Sequence, residues 1–316
     1  MAVYTDIREL NFDRTVVTAG SFDGVHCGHR MLLRHVADVA KRHCLRSVAL
    51  TFWPHPQRVL ASPEEAPLLL GTLDERVALL AQSGIDDVVV FPFNTVFSQT
   101  PANDFVSEII IGKLKAKYFV AGQDHHFGKD RSGNVQQLSE IVAKSNLQIE
   151  VVDLEMCDRK ISSSAIRNAL LCGDLNSANE MLGYPYIISG KVIKGNQLGR
   201  TIGFPTANIK TPACKLLPKE GVYHVNVKIG EVGKIGEMKN QKLTGMMFIG
   251  KRSVLKQEDI KPQIEVHLFH FDQQIYGQEI VLSLTHRIRN NLKFENITQL
   301  TEQLHRDRKK IMDMDA

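Results

Sequence analysis

Two histidines three residues apart, His26 and His29, sit in the stretch GSFDGVHCGHR (20–30) beside Gly20, Gly24 and Gly28. A strand-like run, TVVTA (15–19), precedes them, and an amphipathic helical pattern follows. A helix that opens near Gly28 turns its free N–H groups and the positive end of its dipole toward the strand's end, which makes an anion site. Residues three apart share one side of a helical turn, so both imidazoles can donate to the same phosphate group. Glycines there let a bulky phosphate approach the backbone. The plain alternative is a strand–turn–helix junction with two surface histidines. The strand before and the helix after favour the phosphate.

Other stretches carry chemistry of the same kind. ISSSAIR (161–167) opens a helix with Ser163 and Ser164, which can cap N–H groups or hold a phosphate, and sets Arg167 one turn inside, where a guanidinium can grip phosphate oxygens bidentately. Its bland counterpart is a capped helix with a solvated arginine. The loop GQDHHFGKDRSGN (122–134) holds Asp124, Arg131 and Asn134 between two glycine turns. Further on, GNQLGRTIGFPTANI (195–209) imitates a Walker A loop but is one residue short. It has Arg200 where lysine belongs and Pro205 where the helix should run, so it is not a P-loop. By itself it reads as a glycine turn between strands, just as Glu265 in QIEVH by itself reads as a carboxylate on the outer face of a half-exposed strand.

These residues need a scaffold, and the chain changes rhythm to supply two. Up to about Gly183, short apolar runs (15–19, 47–52, 87–93, 118–122, 149–154) alternate with helical patterns such as HRMLLRHVADVAKRH and DFVSEIIIGKL. That alternation predicts a parallel sheet wrapped by helices, with ligands at the C-terminal ends of its strands. After Gly183 and Pro185 the runs YIISGKVI, GVYHVNVKI, LTGMMFI, QIEVHLFHF and EIVLSLTHRI follow in series, which predicts a small antiparallel barrel or sandwich. A last amphipathic helix is predicted with Ile297, Leu300, Leu304 and Ile311 on one face. The expected domains are 1–183 and 184–316.

Bulk properties exclude several classes. The net charge of +4 over 316 residues, with no basic stripe interleaved with aromatics, argues against nucleic acid as a partner. The first ten residues hold no apolar signal core, and no run approaches the ~18 residues of a membrane span. Five scattered cysteines without a CxxC suggest neither a disulfide framework nor a zinc site. A cytoplasmic protein with no membrane partner is expected. Oligomeric state stays open, a monomer being one reading.

In this order, GSFDGVHCGHR, TFWPHP, FGKDRSGN and ISSSAIR resemble the HxGH nucleotidyltransferase domain of bacterial bifunctional riboflavin kinase/FMN adenylyltransferases. GRTIGFPTAN, GVYHVNV and QIEVHLFHFDQQIYGQEI resemble the flavokinase domain of the same family, and the likeness runs from about Val16 to Ile311. The resemblance implies α/β plus β: an N-terminal Rossmann-like nucleotidyltransferase domain on a parallel sheet, then a C-terminal antiparallel β-barrel with a terminal helix. It implies that the barrel phosphorylates riboflavin to FMN and that the first half adenylylates FMN to FAD, with ATP as substrate of both and Mg²⁺ as cofactor. Gly20, Phe22, Asp23, Gly24, Gly28, Asp124, Arg131, Ser163 and Ser164 would surround nucleotide and flavin in the first half, with His26, His29 and Arg167 catalytic. In the second, Thr206 and Asn208 would ligate Mg²⁺, Glu265 would be the general base, and Gly195, Arg200, Gly203, Pro205 and Arg289 would line the substrates. The chain departs from the family pattern at Ser21, His125, GKRSV (250–254) and His270. The last two motivate an alternative in which only the adenylyltransferase half turns over. A non-catalytic flavin or nucleotide binder is a third reading, disfavoured by the presence of a base and both histidines.

Overall fold

The computed structural model describes residues 1–123, 128, 145–153, 161–195, 198–230, 232, 243–250 and 263–315. By contacts these form two compact units: Met1–Leu68 with Arg76–Ser162, and Leu69–Glu75 with Ser163–Ala316.

The first unit is built on a six-stranded sheet. Its strands are β1 (Ala2–Tyr4), β2 (Thr15–Ala19), β3 (Arg46–Trp53), β4 (Asp87–Pro92), β5 (Ala116–Gly122) and β6 (Gln148–Val152). The order is β1-β4-β3-β2-β5-β6 and every pairing is parallel. All five residues of β2 are buried, as a strand covered on both faces requires. The chain winds outward from β2 in one direction through β3 and β4, and in the other through β5 and β6. The junction of β2 and β5 is therefore the switch point, where such sheets leave a crevice at the strand ends. Helix α1 (Cys27–Arg42) leaves that point directly, burying Leu32, Leu33, Val36, Val39 and Ala40. Short helix α2 (Pro56–Leu60) follows β3. The predicted helix over DFVSEIIIGKL is present, but over Phe105–Lys113 it is wound as a π-helix. Strand β1 is absent from the sequence reading, because three residues on a sheet edge carry no periodic pattern.

The second unit is a closed barrel. Its strands are β7 (Tyr186–Ile193), β8 (Ala207–Lys210), β9 (Gly221–Ile229), β10 (Leu243–Gly250), β11 (Gln263–Leu268) and β12 (Glu279–Arg289), in the order β10-β11-β8-β7-β12-β9. All pairings are antiparallel, and β9 with β10 closes the ring. Alternation fills it: Ile264, Val266 and Leu268 of β11 enter the core while Glu265 stays half-buried. Helices α4 (Ser163–Cys172) and α5 (Leu175–Leu182) bury Ile166, Leu170, Leu175, Ala178 and Leu182 in that same core. Helix α6 (Ile297–Asp315) lays Ile311 and Leu304 against Phe204, Met246 and Phe269. Ile297, expected on that apolar face, is exposed, since the helix begins beyond the patch it covers.

Seven residues from far upstream complete this unit. Leu69 bridges in parallel to Lys215, with hydrogen bonds Leu69 N to Cys214 O and Leu216 N to Leu69 O. Glu75, at the start of α3 (Leu73–Ala81), closes a capping box with Thr72. Its carboxylate also accepts from the Ser189 N–H and hydroxyl, both at 2.7 Å, and from Lys215 Nζ at 2.6 Å. Lys215 donates a second bond to Leu70 O and lies 4.4 Å from the centroid of the Tyr186 ring. This ion pair has essentially no solvent exposure, so each charge depends on the other and on the hydrogen bonds around it.

Candidate functional site

At the switch point, Gly20 to His26 form a tight turn between β2 and α1. Phe22, Gly24 and Val25 all have positive φ, at 45°, 80° and 35°. For a β-branched valine that is a strained conformation, of the kind held in place only where the surroundings over-determine it. Phe22, Asp23, Gly24, Val25 and His26 are buried. A side chain on Gly20 would press on the Phe22 ring, and one on Gly28 would touch the His26 imidazole.

His26 is the N-cap of α1, and its Nδ1 accepts the His29 backbone N–H at 3.4 Å. That bond leaves the proton of the neutral ring on Nε2, the donor position. The His26 and His29 rings stack, with centroids 3.6 Å apart and 16° between planes, and Phe22 meets His29 edge-on at 5.3 Å. Burial pushes His26 down to about 4, partly opposed by the charge of Asp23. Burial also holds His29 well below the ordinary histidine range, helped by His26 and by Arg76. Two neutral N–H-bearing imidazoles at a helix mouth suit an anion that arrives with its own charge.

Ser163, Ser164 and Arg167 lie on α4, in the second unit, at its N-terminal turn and half-exposed or exposed. The loop glycine Gly128 seats against Ala102, where a Cβ would collide with backbone. Asp124, His125 and Arg131 lie outside the described residues, as do 251–254 of the GKRSV stretch.

On the barrel wall, β8 and β11 bring three oxygen-bearing side chains together. Glu265 is the register partner of Asn208, and Thr206, two residues before Asn208, donates its hydroxyl to Glu265 Oε2 at 3.2 Å. Gly195 packs against the Asn208 amide so closely that any Cβ would overlap it, and Gly199 lies as tightly under the Phe204 carbonyl. Phe204 N in turn bonds to Gly199 O at 2.8 Å. Gly203 takes φ of 79°, Pro205 and Arg200 are exposed, and the chain from 198 to 206 wraps one corner of the wall. The donor set is all oxygen, which fits a hard cation such as Mg²⁺.

Sequence reasoning missed His267. Its Nδ1 lies 2.8 Å from Pro205 O, it meets Phe204 at 5.1 Å, and burial lowers its pKa. The signal was available: His267 is two residues after Glu265, so a strand puts both on one face. His305 of α6 packs on the other side of Phe204 at 4.9 Å. Arg289 is paired with Asp307 of α6, Nη2 to Oδ2 at 2.7 Å, and donates to Asn290 O, so it braces the helix. His270 is exposed, at φ of 53° in the turn after β11.

A family model described as FAD synthetase matches residues 9–165, and one described as riboflavin kinase matches 182–314. The chain is 37% identical to the Bacillus subtilis bifunctional riboflavin kinase/FMN adenylyltransferase over 93% of its own length and 90% of the relative's. The proteins of the same name from Haemophilus influenzae and Escherichia coli are 37% and 35% identical, over 92% of this chain and 91% and 90% of theirs. A solved Streptococcus pneumoniae structure described as a macrolide-efflux protein is 32% identical over 97% of both chains, with a TM-score of 0.83. Among the described residues no helix is long and apolar enough to cross a membrane. The riboflavin kinase match spans the whole barrel, so the alternative of a barrel without turnover gains no support. A histidine turn on a parallel sheet, a threonine–asparagine–glutamate wall on a barrel, and matches over more than nine-tenths of the chain place it in the family of bifunctional riboflavin kinase/FMN adenylyltransferases.

Proposed function

We propose that the chain makes FMN from riboflavin and ATP in residues 184–316, and FAD from FMN and a second ATP in residues 1–183. The observation that carries this is the coexistence of two different constellations: an imidazole pair at a helix mouth and an oxygen triad on a barrel wall.

In adenylyl transfer a phosphate oxygen of FMN attacks the α-phosphorus of ATP. The bond from that phosphorus to the bridging oxygen breaks, and pyrophosphate leaves with the electron pair. The nucleophile is already anionic, so the protein must align the reactants and stabilise leaving charge. His26 donates from Nε2 and His29 from its ring N–H, both at the helix mouth. Gly20, Phe22, Asp23, Gly24 and Gly28 shape the turn around the nucleotide, and the family resemblance adds Asp124 and Arg131 to its contacts. Ser163, Ser164 and Arg167, at the N-terminal turn of α4, are the residues the family resemblance assigns to nucleotide phosphates.

In the kinase reaction the riboflavin 5′-hydroxyl oxygen attacks the γ-phosphorus, its proton passes to Glu265, and ADP departs. Thr206 and Asn208 would hold Mg²⁺, which would supply charge neutralisation for the transferring phosphate. Glu265, which accepts the Thr206 hydroxyl at 3.2 Å, is the carboxylate on this wall that takes the substrate proton. Gly195, Arg200, Gly203 and Pro205 form the covering turn, and Arg289 acts by fixing α6 beside it.

Cys27, Cys44, Cys172 and Cys214 are free thiols, which fits a reducing, cytoplasmic setting. The test is a product time course from riboflavin, ATP and Mg²⁺. FMN rising first and FAD following supports both halves. No FMN removes the kinase assignment, and FMN that never becomes FAD removes the adenylyltransferase.

A further inference from the structure

Arg76 is one of the largest fully buried side chains in the molecule, with no exposed surface at all. It projects from α3 into the first unit beneath the ends of the central strands. Its Nη1 donates to Thr51 Oγ1 at 3.2 Å and to Phe52 O at 3.1 Å, and its guanidinium carbon lies 5.6 Å from the centroid of the Trp53 ring. Thr51 passes the link on: its hydroxyl donates to Ser21 O at 3.3 Å, in the histidine turn itself. Gly20 N, bonded to Leu50 O at 3.0 Å, ties the same turn to the same strand.

A buried guanidinium is costly to desolvate and is retained where its geometry or its charge is used. Here both have a use. The two hydrogen bonds fix the end of β3, and through Thr51 they fix the carbonyl from which the strained turn departs. The charge lies in a low-dielectric setting, where it acts more strongly on a nearby anion than a solvated arginine would. His29 registers that field: Arg76 is among the groups that keep it neutral.

We propose that Arg76 is a positioning residue of adenylyl transfer, holding the histidine turn through Thr51 and placing a fixed positive charge behind the helix mouth that receives the nucleotide phosphates. It acts through the turn and touches no reacting atom. The inference rests on the adenylyl-transfer reading of that turn.

The experiment compares Arg76→Met, Arg76→Lys and Thr51→Val with the unaltered full chain. It measures FMN-to-FAD kinetics across pH, riboflavin-to-FMN turnover and melting temperature in the same preparations. A misplaced turn is expected to lower kcat for FAD formation by about tenfold to a hundredfold in Arg76→Met. FMN formation stays unchanged, Arg76→Lys recovers part of the loss, and Thr51→Val falls between. Among the described residues, the charged and titratable groups that bear on the imidazole pair are Asp23 of the turn, Arg76 of α3 and the two rings themselves. With the cation gone, His29 protonates more readily, so the acid limb of the FAD-forming profile moves to higher pH in Arg76→Met. Equal FAD formation in Arg76→Met and the unaltered chain overturns the inference, as does a lysine variant as poor as methionine with an unmoved acid limb. If Arg76→Met fails to fold, Thr51→Val decides: unchanged kinetics there overturn the link. An unaltered chain that makes no FAD from FMN overturns the underlying reading instead.

Discussion

The imidazole pair differs from a pair of surface histidines in being neutral, stacked and enclosed. With one donor lost, a site of this type gives up roughly 2.7–4 kcal/mol of transition-state stabilisation. His29→Ala is therefore expected to slow FMN-to-FAD conversion by about two to three decades while leaving FMN formation intact. Glu265→Gln is its mirror image, abolishing FMN formation and sparing FAD formation from added FMN. Product chromatography on both variants with both substrates checks this, and a variant that loses both activities equally contradicts two separate centres. Neutrality also carries a stability signature. The folded-state value of His26, about 4, lies below that of a free histidine, about 6.5, because burial disfavours the charged ring. An unfolded chain thus binds more protons between those values, and stability falls as pH drops from about 6.5 to 4, then levels. The expected loss for His26 is about 3 kcal/mol across that window. Urea melts of the first unit at pH 7.5 and 4.5 measure it. His26→Asn is expected to flatten the slope, leaving the part due to His29.

Elements explain what was legible beforehand. The strands Tyr186–Ile193 and Gly221–Ile229 match their predicted bounds because period-two alternation bounded by turn residues is unambiguous. Strand β8 was concealed inside the motif that carries Thr206 and Asn208, since four residues after a proline show no period. The stretch ISSSAIR predicts the helix α4, but a capped helix start does not say which sheet the helix will cover, and here it is the barrel core. Arg76 was missed because one arginine in LDERVALLA looks like part of a solvated face. The second motif by itself reads as a glycine turn between strands, and the structure gives two of its glycines a packing duty. Gly199 and Gly195 exist because Phe204 O and the Asn208 amide occupy the space a methyl would take. Gly203 faces open space and only its φ of 79° matters, a cost of about 1 kcal/mol for alanine. Gly199→Ala is accordingly expected to cut riboflavin phosphorylation at least about tenfold, and Gly203→Ala far less, with FAD formation unaffected in both. Steady-state kinetics on the two alanine variants separates the two causes. Equal losses contradict the steric account.

For the molecule as a whole, matching segments and packing do not divide the chain at the same place. The FAD synthetase match ends at 165 and the riboflavin kinase match begins at 182, while the residues between fill the barrel core. The heptapeptide Leu69–Glu75 goes further, because it lies inside the first matched segment and is spatially a part of the kinase unit. A gene fragment starting at Ser163 would encode every kinase motif yet leave Lys215 entombed without its carboxylate. Stranding one member of such a pair costs about 3–5 kcal/mol, a large share of a small domain's stability. Autonomous expression of the barrel is thus expected to give a poorly folded product. Exchanging Lys215 for methionine in the fragment, or supplying the missing heptapeptide in trans, is expected to raise its melting temperature. Transplanting this kinase onto another partner would meet the same obstacle unless the heptapeptide travelled with it.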